Sequence, residues 1–175
     1  MSVVGLRTDT FMPPSADGSS MDRDDGNEDV DTDSEDTKGN DPYVLREGVP
    51  SAATFLALRE AAGMSPRPRS GAEKGLPNSL YGVTIVHEPT GEVVGMGRII
   101  GDDGTVYHVC DMGVHPVHQG RGLGTRIMEA LDAYVDETAP SGAYVNLIAD
   151  VDGFYEGFGY EETAPGSKGM YRRVE

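Results

Sequence analysis

The stretch VHPVHQGRGLGT, residues 114–125, joins the end of a predicted strand to the start of a predicted helix through a glycine-rich turn. Gly120, Gly122 and Gly124 occupy alternate positions, so successive backbone N–H groups can converge without interference from a Cβ atom. The N-terminal end of the following helix adds positive electrostatic potential at the same place. This combination predicts an anion-binding site that suits a pyrophosphate group.

Three other interpretations of this turn compete with a pyrophosphate site. A nucleoside triphosphate loop would end in Gly-Lys-Ser or Gly-Lys-Thr, which does not occur here. A dinucleotide-binding fingerprint would belong to the first strand–helix unit of the chain, whereas this turn follows a series of antiparallel strands. A glycine-rich helix entry that binds no ligand is the purely structural alternative.

The residues on either side of the turn predict an α+β domain. Its strands are expected at 43–46, 81–87, 92–100, 105–114, 143–149, 159–163 and 169–173, and its helices at 51–62, 122–137 and 151–158. The segment 64–79 is rich in proline and glycine and reads as a long loop with room for one helical turn. The helix over 122–137 would cross between two parallel strands. We therefore expect a mixed, mostly antiparallel central sheet of about six or seven strands flanked by helices.

Charge divides the chain into two parts. The protein has 30 acidic and 14 basic residues, a net charge of −16, and residues 1–42 alone hold 12 acidic residues against Arg7, Arg23 and Lys38. Between Ser15 and Asp41 the only apolar residues larger than alanine are Met21 and Val30, which predicts a disordered acidic tail over 1–42 before one domain over 43–175. The acidity also argues against nucleic acids and anionic membranes as partners, because both require a basic surface.

The sequence offers little for a metal or a disulfide. Cys110 is the only cysteine, which excludes an internal disulfide and a cysteine-based zinc cluster. The acidic run 29–33 has the start of a calcium loop but not its glycine and final glutamate, and His87, His115 and His118 lack metal-ligand spacing. With no long apolar run and no secretory signal, we expect a cytoplasmic protein without a bound metal.

At this point three segments resemble the GNAT superfamily of N-acetyltransferases. The segment 119–124 resembles its acetyl-CoA pyrophosphate loop, whose signature is Gln/Arg-x-x-Gly-x-Gly/Ala. The segment 110–116 resembles its fourth strand and the exit from it, and 154–160 resembles its Phe-Tyr-x-x-x-Gly-Phe segment. The three segments occur in the family's order within residues 43–175. The resemblance implies the GNAT-like fold, acetyl-CoA as co-substrate, and, since many members are homodimers, a homodimer as one expected assembly.

The same resemblance assigns coenzyme-binding residues. A distorted fourth strand, permitted by Gly113, would leave main-chain groups free to bind the acetyl carbonyl and the pantetheine arm. The glycine-rich turn would hold the pyrophosphate. The complete predicted set is Met112, Gly113, Val114, Gln119, Gly120, Arg121, Gly122, Leu123, Gly124 and Thr125.

Tyr155, His108 and Asp111 are the predicted catalytic residues. Tyr155 matches the family's frequent general acid, because a phenol near pKa 10 can protonate a departing thiolate. His108 and Asp111 lie on the fourth strand, where the family often places a base or a water relay. The structural alternatives are a core tyrosine, a packed histidine and a solvated carboxylate. For Cys110, packing is preferred to the role of a covalent acetyl carrier.

The resemblance predicts an N-acetyltransferase that moves an acetyl group directly from acetyl-CoA to a primary amine in a ternary complex. The acceptor would be a small-molecule amine or a peptide amine. A catalytically inactive acyl-CoA-binding regulatory module is the alternative from another functional class. Arg67, Arg69 and Lys74 could contact an anionic acceptor, but a solvated loop is the preferred explanation for these residues.

Overall fold

The computed structural model describes residues 41–174, so the predicted acidic tail lies almost wholly outside the described residues. Within that range the chain forms five strands and three α-helices. The strands are β1 (Tyr43–Glu47), β2 (Tyr81–His87), β3 (Glu92–Gly101), β4 (Val106–Val114) and β5 (Tyr144–Asn146). The helices are α1 (Ala52–Ala61), α2 (Arg69–Gly75) and α3 (Leu123–Thr138), and short 3₁₀ turns cover Leu76–Asn78, Pro116–His118 and Tyr155–Phe158.

The strands form one sheet in the order β1-β2-β3-β4-β5. Every neighbouring pair is antiparallel except β4 and β5, which run parallel. The connection between β4 and β5 contains α3, because parallel strands require a crossover segment. The mixed α+β sheet and its crossover helix are therefore as the sequence predicts.

The main core lies between the sheet and α3. Ile127 and Leu131 of α3 are fully buried beside Val83 and Ile85 of β2, and each such side chain contributes about 1.5–3 kcal/mol by leaving water. A Cβ atom at Gly97 would lie 2.5 Å from Cγ2 of Ile127, so glycine at this position lets α3 approach the sheet. This close packing fixes the start of α3 against β3 and β4.

A second apolar cluster holds α1 and α2 against β3. Phe55 and Leu58 of α1 and Leu76 after α2 are buried there with Met96. Ser51 caps α1 by accepting a hydrogen bond from the Thr54 amide at 3.1 Å. The segment 64–79, predicted as a loop with one helical turn, contains the two turns of α2 followed by a 3₁₀ turn.

The C-terminal part differs from the sequence expectation. The predicted strands at 159–163 and 169–173 are absent from the described residues, and the sheet there has five strands rather than six or seven. Residues 161–174 are all exposed, so no packing offsets the entropy of ordering them. The predicted strand over 143–149 shortens to the three residues of β5, and the predicted helix over 151–158 is only a 3₁₀ turn.

Within residues 41–174, no helix combines the length and the hydropathy that crossing a membrane requires.

Candidate functional site

The glycine-rich turn leaves the first turn of α3 open to a ligand. Gly120 and Gly122 have φ values of +72° and +74°, a left-handed conformation that favours glycine. Gly122 precedes the first residue of α3, and no side chain caps the helix there. The first N–H groups of α3 are consequently available to an anion, which a helix N-terminus attracts. The Gln119 side chain donates a hydrogen bond to the Val114 carbonyl at 2.9 Å and ties the turn to β4.

A β-bulge interrupts β4 just before this turn. Cys110 pairs with Arg98 and Gly113 pairs with Met96, so the two residues between them, 111 and 112, face Gly97 alone. The bulge is predicted from the sequence, but its left-handed residue is Asp111, with φ of +54°, rather than Gly113. A Cβ atom on Gly113 would lie 3.2 Å from the sulfur of Met64, so this glycine provides room for the chain that follows α1.

The turn and the bulge line one cavity of about 450 Å³, called the loop cavity below. Nine of the ten predicted coenzyme-binding residues form its wall: Met112, Gly113, Val114, Gln119, Gly120, Gly122, Leu123, Gly124 and Thr125. The exception is Arg121, whose exposed side chain is not part of the wall. The opposite wall includes Phe154 and the predicted general acid Tyr155.

A second cavity of about 420 Å³, called the charged cavity below, lies along β4 and the residues after α1. Its polar lining consists of Arg59, Ser65, Arg67, His108, Cys110, Asp111, Asp150 and Tyr155. Four residues line both cavities: Met64, Met112, Asp150 and Tyr155. A group bound in one cavity therefore meets a group bound in the other at these four side chains.

A larger cavity of about 890 Å³ lies between β5 and the exposed C-terminal segment. None of the glycine-rich turn lines it, and Tyr155 is the one predicted site residue in its wall. It is therefore not the place where the turn could hold an anion.

Tyr155 is buried between the two cavities and begins the 3₁₀ turn Tyr155–Phe158. Its hydroxyl group lies 3.5 Å from Oδ1 of Asp150, at the outer limit of a hydrogen bond. Burial raises the pKa of Tyr155 above its usual value of 10, and the negative charge of Asp150 raises this pKa further. Near neutral pH the phenol consequently keeps its proton and can serve as a donor.

His108 lies in the charged cavity and contacts β5. Its Nδ1 atom lies 2.6 Å from Oδ1 of Asn146, whose Nδ2 atom donates to the Tyr107 carbonyl at 3.3 Å. Because an amide oxygen can only accept, this arrangement assigns the His108 proton to Nδ1. In the neutral ring, Nε2 is then the atom that can accept a proton.

Asp111 is held by two arginines. Its Oδ1 accepts a hydrogen bond from Arg59, and its Oδ2 accepts one from Nε of Arg98 at 2.7 Å. The side chains of Asp111 and Arg59 are 8% and 4% exposed, so this is a buried ionic cluster. Arg59 also donates twice to the Ser65 carbonyl, and Arg98 donates to the Ser79 hydroxyl. The cluster thus joins α1, β3, the bulge in β4 and both ends of the 64–79 segment.

Cys110 precedes Asp111 in the same strand. Burial raises the pKa of its thiol to about 12, and the negative charge of Asp111 contributes to that rise. The thiol is therefore protonated near neutral pH and is a poor nucleophile.

Sequence reasoning missed three residues of this region, namely Asp150, Arg59 and Arg98. Asp150 precedes Tyr155 by only five residues, and this short spacing between a carboxylate and the predicted general acid could have indicated Asp150 from the sequence. Arg59 is 52 residues from Asp111, and no local pattern could have paired them.

Comparisons with known proteins bear on the family and the fold of this chain. The family model described as "Acetyltransferase (GNAT) domain" matches residues 80–162. A Staphylococcus aureus protein described as a "Probable Acetyltransferase" of unknown function is 41% identical, with a TM-score of 0.72 over 75% of this chain and 99% of that one. An "Uncharacterized N-acetyltransferase ycf52-like" from Prochlorococcus marinus is 37% identical over 73 residues, which are 41% of this chain and 41% of the relative.

A third comparison concerns the fold alone. A GNAT family acetyltransferase from Brucella melitensis, solved in complex with acetyl-CoA, is 20% identical with a TM-score of 0.52. The match covers 69% of this chain and 83% of that one.

Proposed function

This chain belongs to the GNAT acetyltransferase family, and from that premise we propose that it transfers the acetyl group of acetyl-CoA directly to a primary amine. The observation that carries the proposal is the wall shared by the two cavities. Acetyl-CoA would occupy the loop cavity, and the amine would occupy the charged cavity. The reacting carbon and nitrogen would then meet beside Met112, Asp150 and Tyr155.

The loop cavity suits the coenzyme in two ways. The open N–H groups of α3 and the turn before it can bind the pyrophosphate. The main chain of Met112, which has no partner in the strand register, can bind the pantetheine arm and the oxygen of the thioester. The Brucella relative solved with acetyl-CoA supports this choice of ligand.

The transfer requires three proton movements and no covalent enzyme intermediate. The acceptor ammonium first loses a proton to a base, and the neutral nitrogen attacks the thioester carbonyl. The new C–N bond forms, the C–S bond breaks, and the departing thiolate takes a proton from the Tyr155 hydroxyl. The nitrogen of the new amide loses its second proton, which restores the Tyr155 hydroxyl, and the base releases the first proton to solvent.

Asp150 is our choice for the base. It lines both cavities and lies beside the Tyr155 hydroxyl, so one carboxylate can attract the ammonium and accept its proton. His108 lies in the charged cavity alone, where its Nε2 atom is the second candidate. Both oxygens of Asp111 bind arginines, so we propose that Asp111 positions the bulge in β4 rather than accepting a proton.

Thiol release from acetyl-CoA in the presence of a panel of amines tests the proposed function. Initial rates measured against both substrates should give intersecting double-reciprocal lines, as a ternary complex requires. Parallel lines would instead indicate a covalent acetyl-enzyme. Saturable coenzyme binding without thiol release from any amine would contradict the enzyme and support the acyl-CoA-binding module.

The role of Asp150 can be separated from general charge effects. Asp150→Asn should lower kcat by about a hundredfold, the scale of general base catalysis, and should remove the acidic limb of the pH–rate profile. Asp152→Asn is the matched control, because Asp152 is exposed two residues later and lines neither cavity. Loss of the acidic limb in His108→Gln instead would identify His108 as the base.

A further inference from the structure

Asp150 and Arg67 lie in different parts of the charged cavity. Asp150 lines both cavities and therefore lies where transfer would occur. Arg59 and Arg67 line the charged cavity but not the loop cavity, so the positive charges lie away from the transfer point. An acceptor in this cavity would meet a carboxylate at its reacting end and guanidinium groups elsewhere.

Two charged groups in this cavity wall lack an ion-pair partner. The wall has two arginines, Arg59 and Arg67, and two aspartates, Asp111 and Asp150. Asp111 pairs with Arg59, and also with Arg98, which lies outside the wall. Among residues 41–174, neither the guanidinium of Arg67 nor the carboxylate of Asp150 forms an ion pair. Burial lowers the pKa of Arg59, and the charges of Arg67 and Arg98 add to that effect.

Arg67 is the member of this group that a ligand can reach. Its side chain is exposed and lines the cavity, and its hydrogen bond goes to the neighbouring Pro66 carbonyl at 3.3 Å. Among residues 41–174, no carboxylate forms an ion pair with it. Arg69, two residues later, differs in both respects, because it pairs with Glu73 and does not line the cavity.

An amine without an anionic group would pair with Asp150 and leave the guanidinium of Arg67 without a counter-charge. An amine that also carries an anionic group gains a charge-assisted hydrogen bond at Arg67 and keeps its ammonium beside Asp150. The volume of about 420 Å³ lies in the range of small-molecule sites. Val109, Leu147 and Ile148 provide an apolar surface for the body of the ligand.

Building on the proposed acetyl transfer, we infer that the acceptor is an amine carrying an anionic group, which Arg67 binds while the ammonium faces Asp150. The anionic group is a carboxylate, as in an amino acid, or a phosphate on an amino sugar or amino alcohol. Arg67 is then a specificity-determining residue for the transfer.

Matched pairs of acceptors test this inference. Phenylalanine with phenethylamine and tyrosine with tyramine form the carboxylate arm, and glucosamine 6-phosphate with glucosamine forms the phosphate arm. In at least one arm the anionic member should have the higher kcat/KM by about tenfold or more, the scale of one charge-assisted pair. The arm that shows the difference identifies the anionic group.

Variants of Arg67 assign the effect to this residue. Arg67→Gln should lower kcat/KM for the anionic acceptor by about tenfold or more, mainly through KM, and should leave the partner amine that lacks the anionic group almost unaffected. Arg67→Lys should restore part of the loss because it keeps the charge. Arg69→Gln, the matched control, should behave as the unaltered protein does.

Two readouts keep this inference separate from the proposed function. Thiol release with equal kcat/KM for both members of every pair would overturn the inference and leave acetyl transfer standing. Calorimetric binding of the same pairs to the coenzyme A complex tests the inference without turnover. Preferential binding of the anionic members, lost in Arg67→Gln, would support it even if the absence of thiol release had overturned the proposed function.

Discussion

Nε of Arg98 donates a hydrogen bond to Oδ2 of Asp111 over 2.7 Å, and this contact links β3 to the bulge in β4. With Arg59 on the other carboxylate oxygen, Asp111 is the centre of a buried cluster. Its backbone has a φ of +54°, a conformation that few residues other than glycine adopt. The cluster therefore holds a strained backbone in the place where the pantetheine arm would bind.

Asp111→Asn should destabilise the protein strongly and change the chemistry little. It leaves two guanidinium groups without their carboxylate, and breaking a buried ion pair costs about 3–5 kcal/mol. Denaturant unfolding should show this loss, whereas the apparent pKa of the acidic limb in the pH–rate profile should not move. Asp103→Asn, at an exposed turn residue, is the control.

A catalytic base at position 111 would give the opposite pattern, with near-normal stability and loss of the acidic limb. If Asp111→Asn fails to fold, Arg98→Lys provides a milder test. It keeps the positive charge but loses the fixed geometry of the guanidinium. This variant should raise KM for acetyl-CoA more than it lowers kcat.

Local patterns predicted the centre of the fold well. The apolar spacing of α3 and the turn Gly101–Gly104 depend on neighbouring residues, and both are found where the sequence places them. The strands predicted at 159–163 and 169–173 could form only by pairing with a strand distant in sequence. The edge strand β5 has only three residues available for such pairing. Short-range sequence patterns carry no information about such a partner.

The candidate site also has one part that a local sequence pattern predicts and one part that it does not. The glycine-rich segment 114–125 is continuous, and seven of its eight predicted coenzyme contacts line one cavity. Arg59, Asp111 and Arg98 come from three elements, and only folding brings them together. The family resemblance suggested Asp111 as a base from its place on the fourth strand, but two arginines, one of them distant in sequence, occupy both of its carboxylate oxygens.

Gly124→Val should weaken coenzyme binding without disturbing the fold. A Cβ atom at this position would meet only Cζ of Phe154, at an ordinary distance of 3.8 Å, and valine is no worse than glycine in a helix. The branched side chain would occupy the space where phosphate oxygens approach the backbone. Calorimetry should show a Kd for coenzyme A raised by about tenfold or more.

Gly75→Val is the matched control for that variant. A Cβ atom there meets nothing within 4 Å, and the residue lies at the end of α2, outside the loop cavity. Equal coenzyme affinity in the unaltered protein and Gly124→Val would remove the pyrophosphate from the glycine-rich turn. Gly122 is less suitable for this test, because its φ of +74° would add backbone strain.

The thiol of Cys110 should be inert in the native protein. Its pKa of about 12 leaves very little thiolate at pH 8, so alkylation by iodoacetamide should be slow until the chain is unfolded. Because the chain has one cysteine, mass spectrometry of the intact protein reads this site alone. Cys110→Ala should keep kcat close to that of the unaltered protein, whereas a covalent acetyl carrier would make this variant inactive.

Tyr155→Phe should remove the proton donor and keep the ring. The hydroxyl group faces Asp150 between the two cavities, so its loss should lower kcat by about a hundredfold, within the range of general acid catalysis. Burial and Asp150 raise the pKa of Tyr155 above 10, so the phenol ionises, and donation stops, only at higher pH. The unaltered enzyme should therefore show an alkaline limb above pH 10 that is absent from the variant.

Tyr160→Phe is the control for this variant. The Tyr160 hydroxyl group donates a hydrogen bond to Asp132 on α3, and Tyr160 lines neither the loop cavity nor the charged cavity. Tyr155→Phe with near-normal kcat would reduce Tyr155 to packing and leave proton delivery to water.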